Sequence, residues 1–105
     1  MKKKYKFYDK IYFATVIVKV GEPLDKLRNA GMTTLDIDNK KGGTKRYYLI
    51  NLDNKKDFYS LMHECLHLVR RIFDDRGVEF RAENDEAIAY YFMYWFKQIW
   101  RRINK

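Results

Sequence analysis

One cysteine, one proline and two histidines are all that 105 residues contain of those three types. A lone Cys65 excludes an internal disulfide and a zinc site built from several cysteines. A single thiol also suits a reducing compartment, so a cytoplasmic location is expected. Long apolar runs are missing too. The longest, residues 11–18 (broken by Thr15) and 87–96, fall short of the roughly 18–20 apolar residues that a membrane span needs. The basic start MKKKYKFYDK is followed by no small-residue cleavage site, so no secretory signal is expected. Internal repeats and low-complexity tracts are also lacking, and the length suits one domain over residues 1–105.

Acidic residues are scarce relative to basic ones: 14 against 22, a formal net charge of +8. The imbalance is terminal. Five Lys and one Asp lie in the first ten residues and four basic residues in the last nine, leaving 13 of each sign between them. Basic, solubilising ends that fray at 1–6 and 101–105 are the expectation. A nucleic-acid reader more often carries its charge on a folded face, so nucleic acid is not an expected partner.

The few Gly and the single Pro punctuate the chain. Residues 11–20, rich in β-branched and aromatic side chains, predict a strand that reaches back toward Tyr5. Gly21 and Pro23 end it, and a short helix over 24–29 is expected before Gly31. Residues 33–38 and 46–52, joined by the turn-rich 39–43, predict a hairpin. Asp53, Asn54 or Asp57 then offers a cap for a helix running to about Phe73, with Phe58, Leu61, Met62, Cys65, Leu66, Val69 and Ile72 at helical spacing. Gly77 supplies a stop. Asn84 caps a long final helix with Asp85 and Glu86 in its first turn and Arg101, Arg102 and Lys105 at its end, a charge placement that complements the helix dipole. The expected fold class is α+β: a small antiparallel sheet in the N-terminal half, then two helices.

Both histidines of the chain lie in His63-Glu64-Cys65-Leu66-His67, an HExxH pattern inside a predicted helix. Chance alone gives this pattern on the order of a few times per thousand chains of this length. Residues four apart share a helix face about 6 Å apart, so two imidazoles can converge on one Zn²⁺. Glu64 is then placed to act as general base on a water held by the metal. Cys65 falls about 200° round the helix from His63, toward the core. No third histidine exists, so a third protein ligand must be a carboxylate or an unusual group. Asp74 and Asp75 lie one to two turns past His67, Glu79 in a connection, and Glu83, Asp85 and Glu86 at the start of the last helix. Glu86 is the preferred candidate, then Glu83, then Asp85.

HECLH followed by Glu86-Ala87-Ile88-Ala89-Tyr90 resembles the gluzincin arrangement of zinc metallopeptidases, and Glu86-Ala87-Ile88-Ala89 resembles the ExxA element of ImmA/IrrE-type peptidases. Over residues 58–96 the chain is also similar to small zincin-like proteins of tailed phages and prophages. The resemblance implies a minimal zincin-like domain with zinc on His63, His67 and Glu86, and Glu64 as catalytic base. It further implies a hydrolase acting on a protein or peptide, in the cytoplasm of a bacterial host or associated with a virion. Alternatives of the same lineage are a non-catalytic zincin-fold structural or host-interaction protein and a nucleic-acid-associated peptidase of SprT type. An oxyanion stabiliser is not singled out; Tyr90, Tyr91 and Arg81 are candidates. Residues 46–52 are a candidate edge strand for aligning a peptide.

The last helix crowds Tyr90, Tyr91, Phe92, Tyr94, Trp95, Phe96 and Trp100. Apolar residues all round a helix imply burial on more than one side. Either the sheet and the HExxH helix cover it, or it forms a homo-oligomer or protein-partner interface.

Overall fold

A computed structural model describes residues 2–21 and 30–105. The elements are β1 (Lys3–Asp9), β2 (Ala14–Val20), β3 (Ala30–Asp38), β4 (Thr44–Leu52), α1 (Phe58–Asp75), one 3₁₀ turn (Ala82–Asn84) and α2 (Asp85–Ile103). The class is α+β, a four-stranded sheet followed by two helices. The helix expected over 24–29 lies outside the described residues.

Strand order is β1-β2-β4-β3. β1 and β2 form one antiparallel hairpin and β3 and β4 the expected second one. The sheet is mixed rather than wholly antiparallel, because β2 and β4 pair in parallel at its centre. These two strands have the most apolar inward faces: Val16, Val18, Tyr48, Ile50 and Leu52 are fully buried and Val20 nearly so. Placing both at the centre covers them on each side, and parallel pairs are characteristically buried.

The strand expected over 11–20, reaching back toward Tyr5, is two strands. A turn at residues 9–13 separates them, held by side chains rather than by glycine or proline. Asp9 accepts hydrogen bonds from the N–H groups of Ile11 (2.9 Å) and Tyr12 (3.1 Å). Arg76 donates to the carbonyls of Tyr12 (2.6 Å) and Phe13 (3.0 Å). Phe13 itself sits at φ 55°, a left-handed conformation that few bulky residues adopt. The basic ends are built in: Lys3, Lys4 and Lys6 belong to edge strand β1, and Arg101 and Arg102 to the last turn of α2. Charge on an edge strand discourages edge-to-edge association.

Both helices pack on the face formed by Phe7, Val16, Val18, Val20, Tyr48, Ile50 and Leu52. α2 lies against β1, with the Trp95 ring edge-on to Phe7 at 6.4 Å. The end of α1 is tied to β4 and β3: Asp75 accepts from the Tyr48 hydroxyl (2.6 Å) and from Arg46, which also grips Asp36. Asp57 caps α1, accepting from the Ser60 N–H at 3.1 Å. The inward stripe of α1 is Leu61, Cys65, Leu68, Val69, Ile72 and Phe73, and that of α2 is Tyr91, Trp95, Phe96, Ile99 and Ile103. Each such side chain contributes about 1.5–3 kcal/mol by leaving water. The sheet and α1 therefore account for most of the aromatic helix, while Tyr90, Met93 and Tyr94 remain exposed. Among the described residues no helix is long and apolar enough to cross a membrane.

Candidate metal centre

The HExxH segment occupies the middle of α1, where the cap at Asp57 and the buried stripe hold the backbone rigid. His63 and His67 project from the outer side, and their Nε2 atoms lie 3.0 Å apart. Two Zn–N bonds of roughly 2.0–2.1 Å meeting near the tetrahedral angle span about 3.3 Å, so the imidazoles already hold nearly the separation a shared ion requires. The two imidazoles are donors that zinc accepts, and the Glu64 carboxylate stands beside them. Glu64 is buried at 6% exposure, while both histidines are exposed. One ligand atom from each of His63, Glu64 and His67 lies within 4.8 Å of the others. Cys65 faces the core as its helical position predicts; burial, and next the Glu64 carboxylate, push its thiol up to about 12, so it stays protonated and apart from the site.

The three residues line a groove of about 520 Å³ between α1 and the start of β3, bounded by Ala30, Gly31 and Met32 on the strand and by Arg70, Arg71 and Asp74 on the helix. β4, the strand expected to offer an edge, is interior, because β2 and β3 pair with its two sides. The edge beside the histidines is β3. Its first residues, Ala30, Gly31 and Met32, line the groove, and an extended peptide can add a strand to such an edge. Arg70 and Arg71 are groove residues that the sequence reading missed. Their signal was positional: three and four residues after His67, they share its helix face.

Glu86 stands apart. Phe58, at the start of α1, meets Phe96 and Trp100 late in α2, and Phe73, near the end of α1, stacks on Tyr91 early in α2, so the helices run antiparallel. From the Phe73–Tyr91 level, His67 lies six residues toward the start of α1 and Glu86 five toward the start of α2, in opposite directions. At 1.5 Å per residue the two are about 16 Å apart along the axes. Glu86 is exposed in the first turn of α2 and is outside the three-residue group, as are Glu83 and Asp85.

The oxyanion candidates are otherwise engaged. Tyr91 is 4% exposed and donates to Asp9 at 2.6 Å. Arg81 is paired with Glu79 and Glu83. Tyr90 is 73% exposed on α2. None of the three lines the groove; Arg70 and Arg71 do. Comparison of the chain with protein families, with curated proteins and with solved structures finds no match.

Proposed function

We propose that this chain is a zinc-dependent hydrolase, most simply a peptidase, whose centre is the His63–Glu64–His67 group on α1. The observation that carries the reading is the 3.0 Å approach of the two imidazole Nε2 atoms beside a buried carboxylate, at the wall of a groove bordered by β3, an edge strand among the described residues.

Zinc held by His63 and His67 would supply Lewis-acid chemistry, polarising a carbonyl and acidifying a water. Glu64, held in place by its burial on α1, takes the water's proton and returns it to the leaving amine. β3 aligns an extended peptide by main-chain pairing. Arg70 and Arg71 line the groove and are the cations that would face charge developing on the attacked carbonyl oxygen, although Arg71 also pairs with Asp75 at 3.5 Å. The pair His63–His67 and Glu64 has the support of geometry. Glu86 as third ligand has the support of the resemblance alone, and ligation by it requires α2 to shift along α1.

The test is cleavage of an unfolded protein such as reduced casein by the zinc-loaded chain, with products identified by mass spectrometry. Cleavage that a zinc chelator stops and added zinc restores is the expected result. Stoichiometric zinc without cleavage of any unfolded or peptide substrate replaces this reading with the non-catalytic one.

A further inference from the structure

The face of the sheet opposite the helices points to a second binding site, and we propose that it binds single-stranded nucleic acid. Strand pairing decides which residues share that face. Since Phe7, Val16, Val18, Tyr48 and Ile50 face the helices, their strand neighbours face away. The registers Lys4↔Lys19, Lys6↔Ile17, Tyr8↔Thr15, Thr15↔Tyr47, Ile17↔Leu49, Tyr47↔Leu35 and Lys45↔Ile37 then set the open face out in rows. It carries four lysines, at 4, 6, 19 and 45, and not one Asp or Glu. The acids of these strands, Asp9, Asp36 and Asp38, all fall on the helix side by the same alternation. Two tyrosines stand among the lysines. Tyr8 is 51% exposed, and the Lys6 and Lys45 ammonium groups lie 5.9 and 5.1 Å from the centre of the Tyr47 ring. Leu35 and Ile37 extend the patch, each close to half exposed. Neither described helix packs on this face; Thr15, between Tyr8 and Tyr47, is buried at 2% exposure within the sheet itself.

The chemistry selects the occupant. A uniformly cationic face seeks a polyanion. The exposed Tyr8 ring, the half-buried Tyr47 ring and the aliphatic side chains among the cations add what a phosphate chain alone does not use, a surface for bases. A duplex fits poorly, since the major groove is about 12 Å wide and admits a helix or two strands, not a four-stranded sheet. Tyr8 and Tyr47 are two strands apart, about 10 Å. Bases stacked in a helix repeat at about 3.4 Å, so a strand using both rings must be splayed and unpaired. A second copy of the chain would set four lysines against four lysines. The charge that sequence reading placed at a solubilising end, Lys4 and Lys6, meets Lys19 and Lys45 here only because β1 pairs with β2. This site does not depend on the metal centre, which lies on α1.

The experiment is fluorescence anisotropy of a fluorescein-labelled oligothymidylate with the full chain across a salt series, beside a labelled duplex of equal length. Expected is preference for the single strand, with log K falling against log salt at a slope of about −3 for four phosphate contacts. Lys6→Gln with Lys45→Gln should roughly halve that slope. Tyr8→Ala, at an exposed site, should weaken binding about tenfold with an unchanged slope. Circular dichroism confirms that each variant folds, and the lysine pair keeps the test open if Tyr8→Ala does not. The double change Arg101→Gln, Arg102→Gln on α2 should leave affinity within about twofold. No binding at low salt overturns the proposal. So does equal affinity for duplex, loss confined to the α2 variant, retention on anionic phospholipid vesicles in place of the oligonucleotide, or self-association blocked by Tyr8→Ala.

Discussion

Tyr91 on α2 donates a 2.6 Å hydrogen bond to the Asp9 carboxylate at the end of β1, a contact between residues 82 positions apart. Asp9 also accepts the N–H groups of Ile11 and Tyr12, so one buried carboxylate ties the first turn of the sheet to the last helix. Burial first, and then the Asp9 carboxylate, push the Tyr91 hydroxyl well above its ordinary range, so it remains a donor at any physiological pH.

Asp9→Ala should therefore cost more than Tyr91→Phe. The first strands a buried hydroxyl and two N–H groups; the second removes a single donor. Losses of about 1–3 kcal/mol are expected for an unsatisfied buried group. In a domain of this size each kcal/mol lowers Tm by roughly 4–8 °C. A double-mutant cycle should give clear coupling between the two positions. Additive losses would separate the turn from the helix.

Asp75 makes a second such link, from the end of α1 to β4. Its burial tends to raise its pKa, but the Tyr48 hydroxyl and the Arg46 guanidinium outweigh that and hold it below its ordinary value of 3.8. A carboxyl depressed by folding contributes stability above its unfolded value and loses it as pH falls through the folded one. The urea midpoint should accordingly drop as pH falls from about 4 downward. Asp75→Asn should lower stability near pH 7 and flatten that acid limb. An acid limb unchanged in the variant would assign the loss to other carboxylates.

Much of this architecture is legible in sequence, and the failures share a cause. α1 and α2 appear where apolar spacing, Asp57, Gly77 and the first-turn acids put them, because those signals are local. The turn at 9–13 is not local: Arg76 and Tyr91 hold it from across the fold, and Phe13 occupies a conformation its chemistry disfavours. Reading 11–20 as one strand follows from the absence of Gly, Asn or Pro there. Edge and interior strands are likewise decided by pairing order, which is why residues 46–52 read as a candidate edge though β4 is central. His63, Glu64 and His67 are legible because a single helix sets their spacing. Glu86 depends on how two helices slide past each other, which spacing along one chain does not encode.

The β3–β4 turn carries Gly42 and Gly43 at φ 91° and 83°. A Cβ added at either meets nothing within 4 Å, so the penalty for alanine is conformational rather than steric. Gly43→Ala should cost about 1–2 kcal/mol, and Gly43→Asn less, because asparagine enters left-handed conformations more readily. Thermal melts of the two variants compare them directly. Equal melting of Gly43→Ala and wild type would show that the turn relaxes without loss.

The proposed metal centre makes the sharpest demand. About one zinc per chain is expected by elemental analysis, and His63→Ala or His67→Ala should abolish it, since a lone imidazole does not retain the ion. Full occupancy in both variants would end the assignment. Glu64→Gln separates ligation from chemistry: zinc content and Tm should stay near wild type, while proteolysis falls by at least about a hundredfold, because the amide cannot accept the water's proton. Glu86→Ala decides the third ligand. A large loss of zinc affinity in this variant, with Glu83→Ala and Asp85→Ala near wild type, would mean that α2 shifts along α1 when the ion binds, closing most of their axial separation. Unchanged affinity would leave the ion on the two imidazoles, with solvent and substrate completing its coordination. Bound zinc should also raise Tm, since an ion that binds the folded chain alone stabilises it by mass action. A zinc-independent Tm in wild type would count against a folded-state site on α1.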